Sequence, residues 1–299
     1  MRLPACFLLL CCAAGLASAN VVMDVRTALA QNDVLRAAEL LKSYRSSAGV
    51  TPEWLEASSW MSRGELALKN YEQAEKYAGE TYRLTVAELK KRRLDQDASL
   101  ATALGASIEV EADILAAHNQ RTEAVSYLKD QLKTYYATSI RTRIQKNLNL
   151  LTMEGKPAPA LQNVALPKGK PVLVFFWAHW CGDCKAEGPI LARIQAEFGP
   201  KGLELVAPTQ KYGYTAGGQE APADVELRYI EKTRQERYAD IITAPAPVSE
   251  ENFRRYGAST TPTLVLIDRA GIVRLYHPGR MTYEELRPMV AKLFRPSAS

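Results

Sequence analysis

The sequence predicts an all-α domain of helical hairpins followed by an α/β domain, and three observations carry that prediction. From residue 20 to about 153, apolar side chains recur at three- and four-residue steps with no strand pattern among them. Beyond a break marked by Gly155, Pro157 and Pro159, short β-branched and aromatic runs alternate with helical patterns. The length, 299 residues, suits about two domains, and 47% hydrophobic with 24% charged residues is the composition of a globular chain able to bury large cores.

At the N-terminus Arg2 precedes the apolar run Ala5 to Leu16, and Ala17-Ser18-Ala19 supplies the small residues of a cleavage site. Residues 1–19 therefore read as a secretory signal peptide cut after about Ala19; the run is short for a membrane-spanning anchor. A lipoprotein reading centred on Cys11 or Cys12 is poorer, because Leu10 and Cys11 are not the small neighbours that lipid attachment wants. Cleavage removes Cys6, Cys11 and Cys12, so of five cysteines only Cys181 and Cys184 stay. One pair with no bystander thiol suits an oxidising compartment, periplasmic or otherwise exported.

Residues 20–153 carry helical patterns over Val34 to Tyr44, Trp54 to Leu68, Tyr71 to Leu89, Leu100 to Ala117, Thr122 to Tyr136 and Ile140 to Leu151. Three joints look alike: Gln31-Asn32-Asp33 before Ala37, Lys69-Asn70-Tyr71 before Ala74, and Asn119-Gln120-Arg121 before Ala124. They resemble the turns of tetratricopeptide-type repeats, in which a small residue lets two helices cross closely. The alanine spacing is irregular, 37 and then 50 residues, so any repeat is degenerate. Such a layer of paired helices either binds a partner protein or serves as a helical cap or dimer surface. The net charge of +5, about +4 without Arg2, is too mild to argue for nucleic acid, and Lys90-Lys91-Arg92-Arg93 reads as a solvated helix end.

Residues 154–160 read as the hinge, and residues 161–299 as the second domain. Val172 to Trp177 is a strand buried on both faces, and Ile190, Leu191, Ile194 and Phe198 mark a helix stopped by Gly199-Pro200. Leu203 to Ala207 is a second strand. An addition follows over 209–240, with a loop holding Tyr212, Gly213, Tyr214, Gly217 and Gly218 and then a polar helix from Ala223 to Ala239. That loop either lines a substrate groove or packs on its own tyrosines. Ala244 to Val248 reads as extended, Ser249 as the N-cap of a helix reaching Tyr256-Gly257, Thr263 to Asp268 and Ile272 to Tyr276 as a hairpin, and Tyr283 to Phe294 as the closing helix. Pro262 would remove a ladder hydrogen bond inside a central strand, so it stands before one, in a turn.

The chemistry gathers at Trp180-Cys181-Gly182-Asp183-Cys184, where the first strand ends and its helix begins. Free amides and partial positive charge at a helix N-terminus stabilise a thiolate, which makes Cys181 the nucleophile. Cys184, about one turn in, is close enough to close a disulfide with it. Asp183 opposes the thiolate and suits the helix N-terminus at once. His179 reads as a thiolate donor or a surface residue, Trp177 as core, and Trp180 as a flat surface beside the nucleophile. A half-buried Glu187, one turn beyond Cys184, has the raised pKa of a proton shuttle; the other reading is an exposed helix glutamate. A structural zinc site lacks its four ligands, and haem attachment would need His where Lys185 stands. An inert disulfide closing so short a loop removes little chain entropy.

The stretch from Phe176 to Pro189 resembles the active-site segment of thioredoxin-fold proteins, most of all the extracytoplasmic TlpA/ResA-like thiol-disulfide oxidoreductases. Thr261-Pro262-Thr263 resembles their cis-proline loop, and the likeness covers roughly Pro157 to Arg295. The resemblance implies a thioredoxin-like C-terminal domain and a turn at Thr261-Pro262 that packs against the disulfide and pairs its backbone with substrate. It matches Glu187 to an acidic residue near the redox centre, and implies a reductase of client protein disulfides fed by a membrane or soluble dithiol donor. No organic cofactor or metal is needed. The competing readings are a disulfide-donating oxidase, a peroxiredoxin-like peroxidase, for which Ala178 and Val174 are the wrong residues, and a non-catalytic binding protein with a redox-switch disulfide.

Overall fold

The computed structural model describes residues 20–295. The expected signal peptide, with Cys6, Cys11 and Cys12, lies outside the described residues. Seven helices come first: α1 (Val21–Ala30), α2 (Val34–Ala48), α3 (Pro52–Ala67), α4 (Tyr71–Glu88), α5 (Ala98–Ala117), α6 (Arg121–Thr134) and α7 (Arg141–Thr152). Their starts are chemically marked. Asp33 accepts the Arg36 amide, Thr51 accepts the Trp54 amide with Pro52 behind it, and Asp97 accepts the Leu100 amide. Helix α1, absent from the segments picked out by periodicity, buries Val21, Val25 and Ala28 along one face.

The odd-numbered helices lie side by side, and each even helix packs between two of them. At each of the three look-alike joints one residue takes the left-handed conformation: Asn32 at φ 60°, Lys69 at 63° and Asn119 at 61°. Beyond it, the amides of Asp33, Asn70 and Gln120 reach back to the carbonyls of Ala28, Glu65 and Leu115. Ala37, Ala74 and Ala124 are fully buried where the paired helices cross. Among the described residues no helix is long and apolar enough to cross a membrane.

The second unit is a four-stranded sheet of order β2-β1-β3-β4, formed by β1 (Val172–Phe176), β2 (Glu204–Val206), β3 (Thr263–Ile267) and β4 (Val273–Pro278). Strand β1 runs parallel to β2 and antiparallel to β3, which is antiparallel to β4. Helices α8 (Gly182–Phe198), α9 (Ala223–Arg237), α10 (Glu250–Tyr256) and α11 (Tyr283–Lys292) complete it. Because strand side chains alternate, Leu173, Phe175, Leu264 and Leu266 build a core with α8 and α11 on one face. Val172, Val174, Phe176, Val265 and Ile267 build another on the opposite face with Phe253 and Tyr256 of α10.

Residues 154–160, expected as a hinge, are strapped along β4. The Gly155 amide donates to Val273 O at 2.8 Å, Ala158 to Gly271 O at 2.9 Å, and Val273 back to Lys156 O at 2.9 Å. Helix α7 packs against α10, and Asn149 Nδ2 donates to Tyr256 O at 2.9 Å. The helices therefore dock beneath the sheet face opposite α8.

Candidate active site

Strand β1 delivers the chain to Trp177, whose indole donates to Ala207 O at 2.9 Å and whose side chain is core. Four residues later Cys181 caps α8, and the Cys184 amide donates to Cys181 Sγ at 3.0 Å. The free amide that stabilises a thiolate is thus aimed at the expected nucleophile. Cys181 and Cys184 are joined as a disulfide, their Cα atoms 5.3 Å apart. Both are buried in this oxidised form, Cys181 at 3% exposure and Cys184 at 0%.

The Thr261–Pro262 peptide is cis, and its carbonyl side faces the disulfide: Thr261 O lies 3.4 Å from Cys181 Sγ. Proline precedes β3, so no ladder bond is lost. Trp180 stands 48% exposed beside the pair, with the Tyr212 ring edge-on to it at 5.5 Å. Thr261, 80 residues along the chain, thus meets the Cys181 sulfur.

Glu187 is fully buried one turn deeper on α8, not exposed on the helix surface. Its Oε2 accepts the Met281 amide at 3.4 Å, and its Oε1 has no partner. Burial pushes its pKa up to about 7, against the opposing pull of the Met281 amide and the Arg280 guanidinium. Arg280 sits 3.9 Å from Glu187 and 3.9 Å from the exposed Asp183, so one cation spans both carboxylates.

His179 corrects both expectations. It is neither a surface residue nor directed by a hydrogen bond to sulfur: it is fully buried, and its one polar partner is Glu226 of α9, at 3.1 Å from Nε2. Burial lowers its pKa, against the opposing pull of that carboxylate. Sequence reasoning missed Glu226, Arg280 and the Met281 amide. Each lies on an element far along the chain, and a single acidic or basic residue in a polar helix or loop carries no local mark of its partner. Among the described residues no group of His, Cys, Asp or Glu side chains could hold a metal ion.

Comparison with known proteins matches the description "Thioredoxin-like domain" to residues 159–294. Residues 159–294 are a thioredoxin-like domain. The chain is 28% identical over 145 residues to the thioredoxin-like protein YneN of Bacillus subtilis, covering 47% of this chain and 72% of that one. It is 25% identical over 126 residues to the thiol-disulfide oxidoreductase ResA of Bacillus thuringiensis, covering 42% of this chain and 65% of that one. A crystal structure of a putative thiol:disulfide interchange protein DsbE from Chlorobium tepidum aligns at 26% identity over 47% of this chain and 96% of its own, with a TM-score of 0.37. Proteins named thiol-disulfide oxidoreductases are among the relatives of the thioredoxin-like domain, and the helical unit formed by α1 to α7 precedes it.

Proposed function

We propose that this protein is an exported thiol-disulfide oxidoreductase that reduces disulfides in client proteins. The observation that carries the reading is the Cys181–Cys184 pair at the N-terminus of α8, with the Cys184 amide on Cys181 Sγ and the cis Thr261–Pro262 turn against it. In the reduced protein, Cys181 thiolate attacks one sulfur of a client disulfide. That S–S bond breaks, a mixed disulfide forms, and the departing client thiolate takes a proton from water. Cys184 then gives its proton to the Glu187 carboxylate and attacks Cys181 Sγ, releasing the second client thiolate. The client gains two electrons and the protein is left as the Cys181–Cys184 disulfide, to be reduced again by an external dithiol. Thr261 and Pro262 receive the client backbone, and Trp180 flanks it.

Residues 1–19 serve as the export signal in this reading. Residues 20–153 recruit a partner protein, a role supported by the exposed apolar side chains Leu35, Leu68 and Leu150 on that unit. The test is capture of clients. Cys184→Ser should accumulate mixed disulfides, whereas Cys181→Ser should not; equal capture by both refutes the assignment of nucleophile and resolving thiol. Titration against a dithiothreitol or glutathione buffer decides direction: couples of this fold run from about −270 mV to about −120 mV, and a value at the oxidising end would make the protein a disulfide donor.

A further inference from the structure

The addition between β2 and α10 leaves and rejoins the domain at one point. Thr209 bridges Val248, the Thr209 amide donates to Pro247 O at 3.0 Å, and the Ser249 amide returns to Thr209 O at 2.9 Å. Between those ends, one buried carboxylate ties the addition to the active-site segment. Glu226, 1% exposed, accepts the Tyr212 amide at 2.5 Å on Oε1 and the Gly213 amide at 2.9 Å on Oε2, and Oε1 also faces His179 Nε2 at 3.1 Å. A buried carboxylate is costly unless it is fully bonded, and this one has three donors.

Those three bonds join α9, the aromatic loop and the residue two places before Cys181. The rings of Tyr212, Tyr214 and Tyr229 stand edge-on around His179 at 5.6, 5.5 and 5.3 Å. Tyr212 also meets half-exposed Trp180 and borders an open recess of about 740 Å³ whose floor includes Gly213 and Pro222. Trp180, next to Cys181 in the chain, and Tyr212, packed against the core cluster that holds both cysteines, thus form an aromatic wall beside the disulfide, which the Thr261 carbonyl also approaches.

Resting on the oxidoreductase reading above, we infer that Glu226 is a positioning residue that, through Tyr212, Gly213 and His179, holds the 209–221 loop as the specificity wall for polypeptide disulfides with an apolar side chain beside the cysteine. A small disulfide reaches Cys181 without touching this wall. A polypeptide lies across it, and gains the aromatic contact only while the loop is held.

The test compares two substrates on the full chain: insulin as the polypeptide disulfide and bis(2-hydroxyethyl) disulfide as the small one. In Glu226→Ala and in Tyr212→Ala, the ratio of kcat/KM for insulin to that for the small disulfide should fall about tenfold, the loss appearing in KM for insulin. Glu226→Gln keeps one carbonyl oxygen for a loop amide and should recover part of the loss. Trypsin should cut after exposed Lys211 faster in Glu226→Ala than in the wild type. If Glu226→Ala does not fold, Tyr212→Ala carries the comparison. A loosened loop with an unchanged ratio, or an equal fall for both substrates, overturns the inference while leaving the oxidoreductase reading intact. A wild type inert toward both disulfides overturns that reading and the inference with it.

Discussion

Glu187 has no room for its charge. One oxygen has no partner, the other has a long bond from the Met281 amide, and Arg280 stands no nearer than 3.9 Å. Its carboxyl titrates at about 7 in the folded protein against an ordinary 4.5, so the folded state binds the proton more tightly than the unfolded chain does. The penalty is absent below about pH 4.5, grows between there and about pH 7, and is constant above. Glu187→Gln removes it. The variant should match the wild type in stability near about pH 4 and exceed it near about pH 8, by on the order of 3 kcal/mol at most. Urea denaturation at the two pH values checks this, and a variant less stable at the higher pH would contradict the burial argument. At this scale the sequence was legible where chemistry is local: Cys181, Cys184 and Pro262 announce themselves through spacing and backbone restriction. It misled on His179, read as a thiolate donor or a surface residue, because nothing within its own segment points to Glu226, 47 residues later.

The three helix-hairpin turns use the same backbone but not the same residue. Asparagine tolerates the left-handed conformation at Asn32 and Asn119, whereas the middle turn places Lys69 there at φ 63°. Lysine has no local hydrogen bond to offset the Cβ clash that this region imposes. Lys69→Gly should therefore stabilise the protein by about 0.5–1 kcal/mol, the relief being partly offset by the freer unfolded chain. The thermal midpoint should rise, and a fall would mean that the Lys69 side chain makes a contact worth more than the strain. These turns were readable because polar breakers recur beside a buried alanine. Helix α1 was not picked out, since Val21, Val25 and Ala28 cover fewer than three turns and follow directly on the apolar N-terminal run. The 209–240 addition was readable as a helix and a glycine-rich loop that lines a groove or packs on its own tyrosines, but what holds the loop was not: α9 is polar enough to pass for a solvated helix, and the burial of Glu226 depends on amides supplied by a separate loop.

At the scale of the whole molecule the two units behave as parts of one packed body, although the sequence between them, with Gly155, Pro157 and Pro159, reads as a hinge. What fixes them is distributed contact that no local pattern encodes. Met153 joins the core under the sheet, Glu154 Oε1 accepts the Tyr276 amide at 3.1 Å, and Asn149 reaches the carbonyl of Tyr256. One close approach is at Gly257. A Cβ there would sit 2.7 Å from Gln145 C and 2.8 Å from Lys146 Cα, and also overlap Lys146 N, so α7 could not stay docked; the residue also holds φ at +62°. Gly155 separates the two effects, because its φ is +79° while an added Cβ would meet nothing within 4 Å. Gly155→Ala should cost only the conformational strain, about 1–2 kcal/mol, and leave a single unfolding transition. Gly257→Ala adds an overlap with α7 backbone that no side-chain rotation can relieve, and should cost at least about 2 kcal/mol more. Scanning calorimetry of the full chain should then show the one transition divided in two, as the helical unit and the thioredoxin-like domain melt apart. Equal losses in the two variants, each with one transition, would mean that the close approach at Gly257 contributes nothing to holding the units together and that strain alone governs both positions.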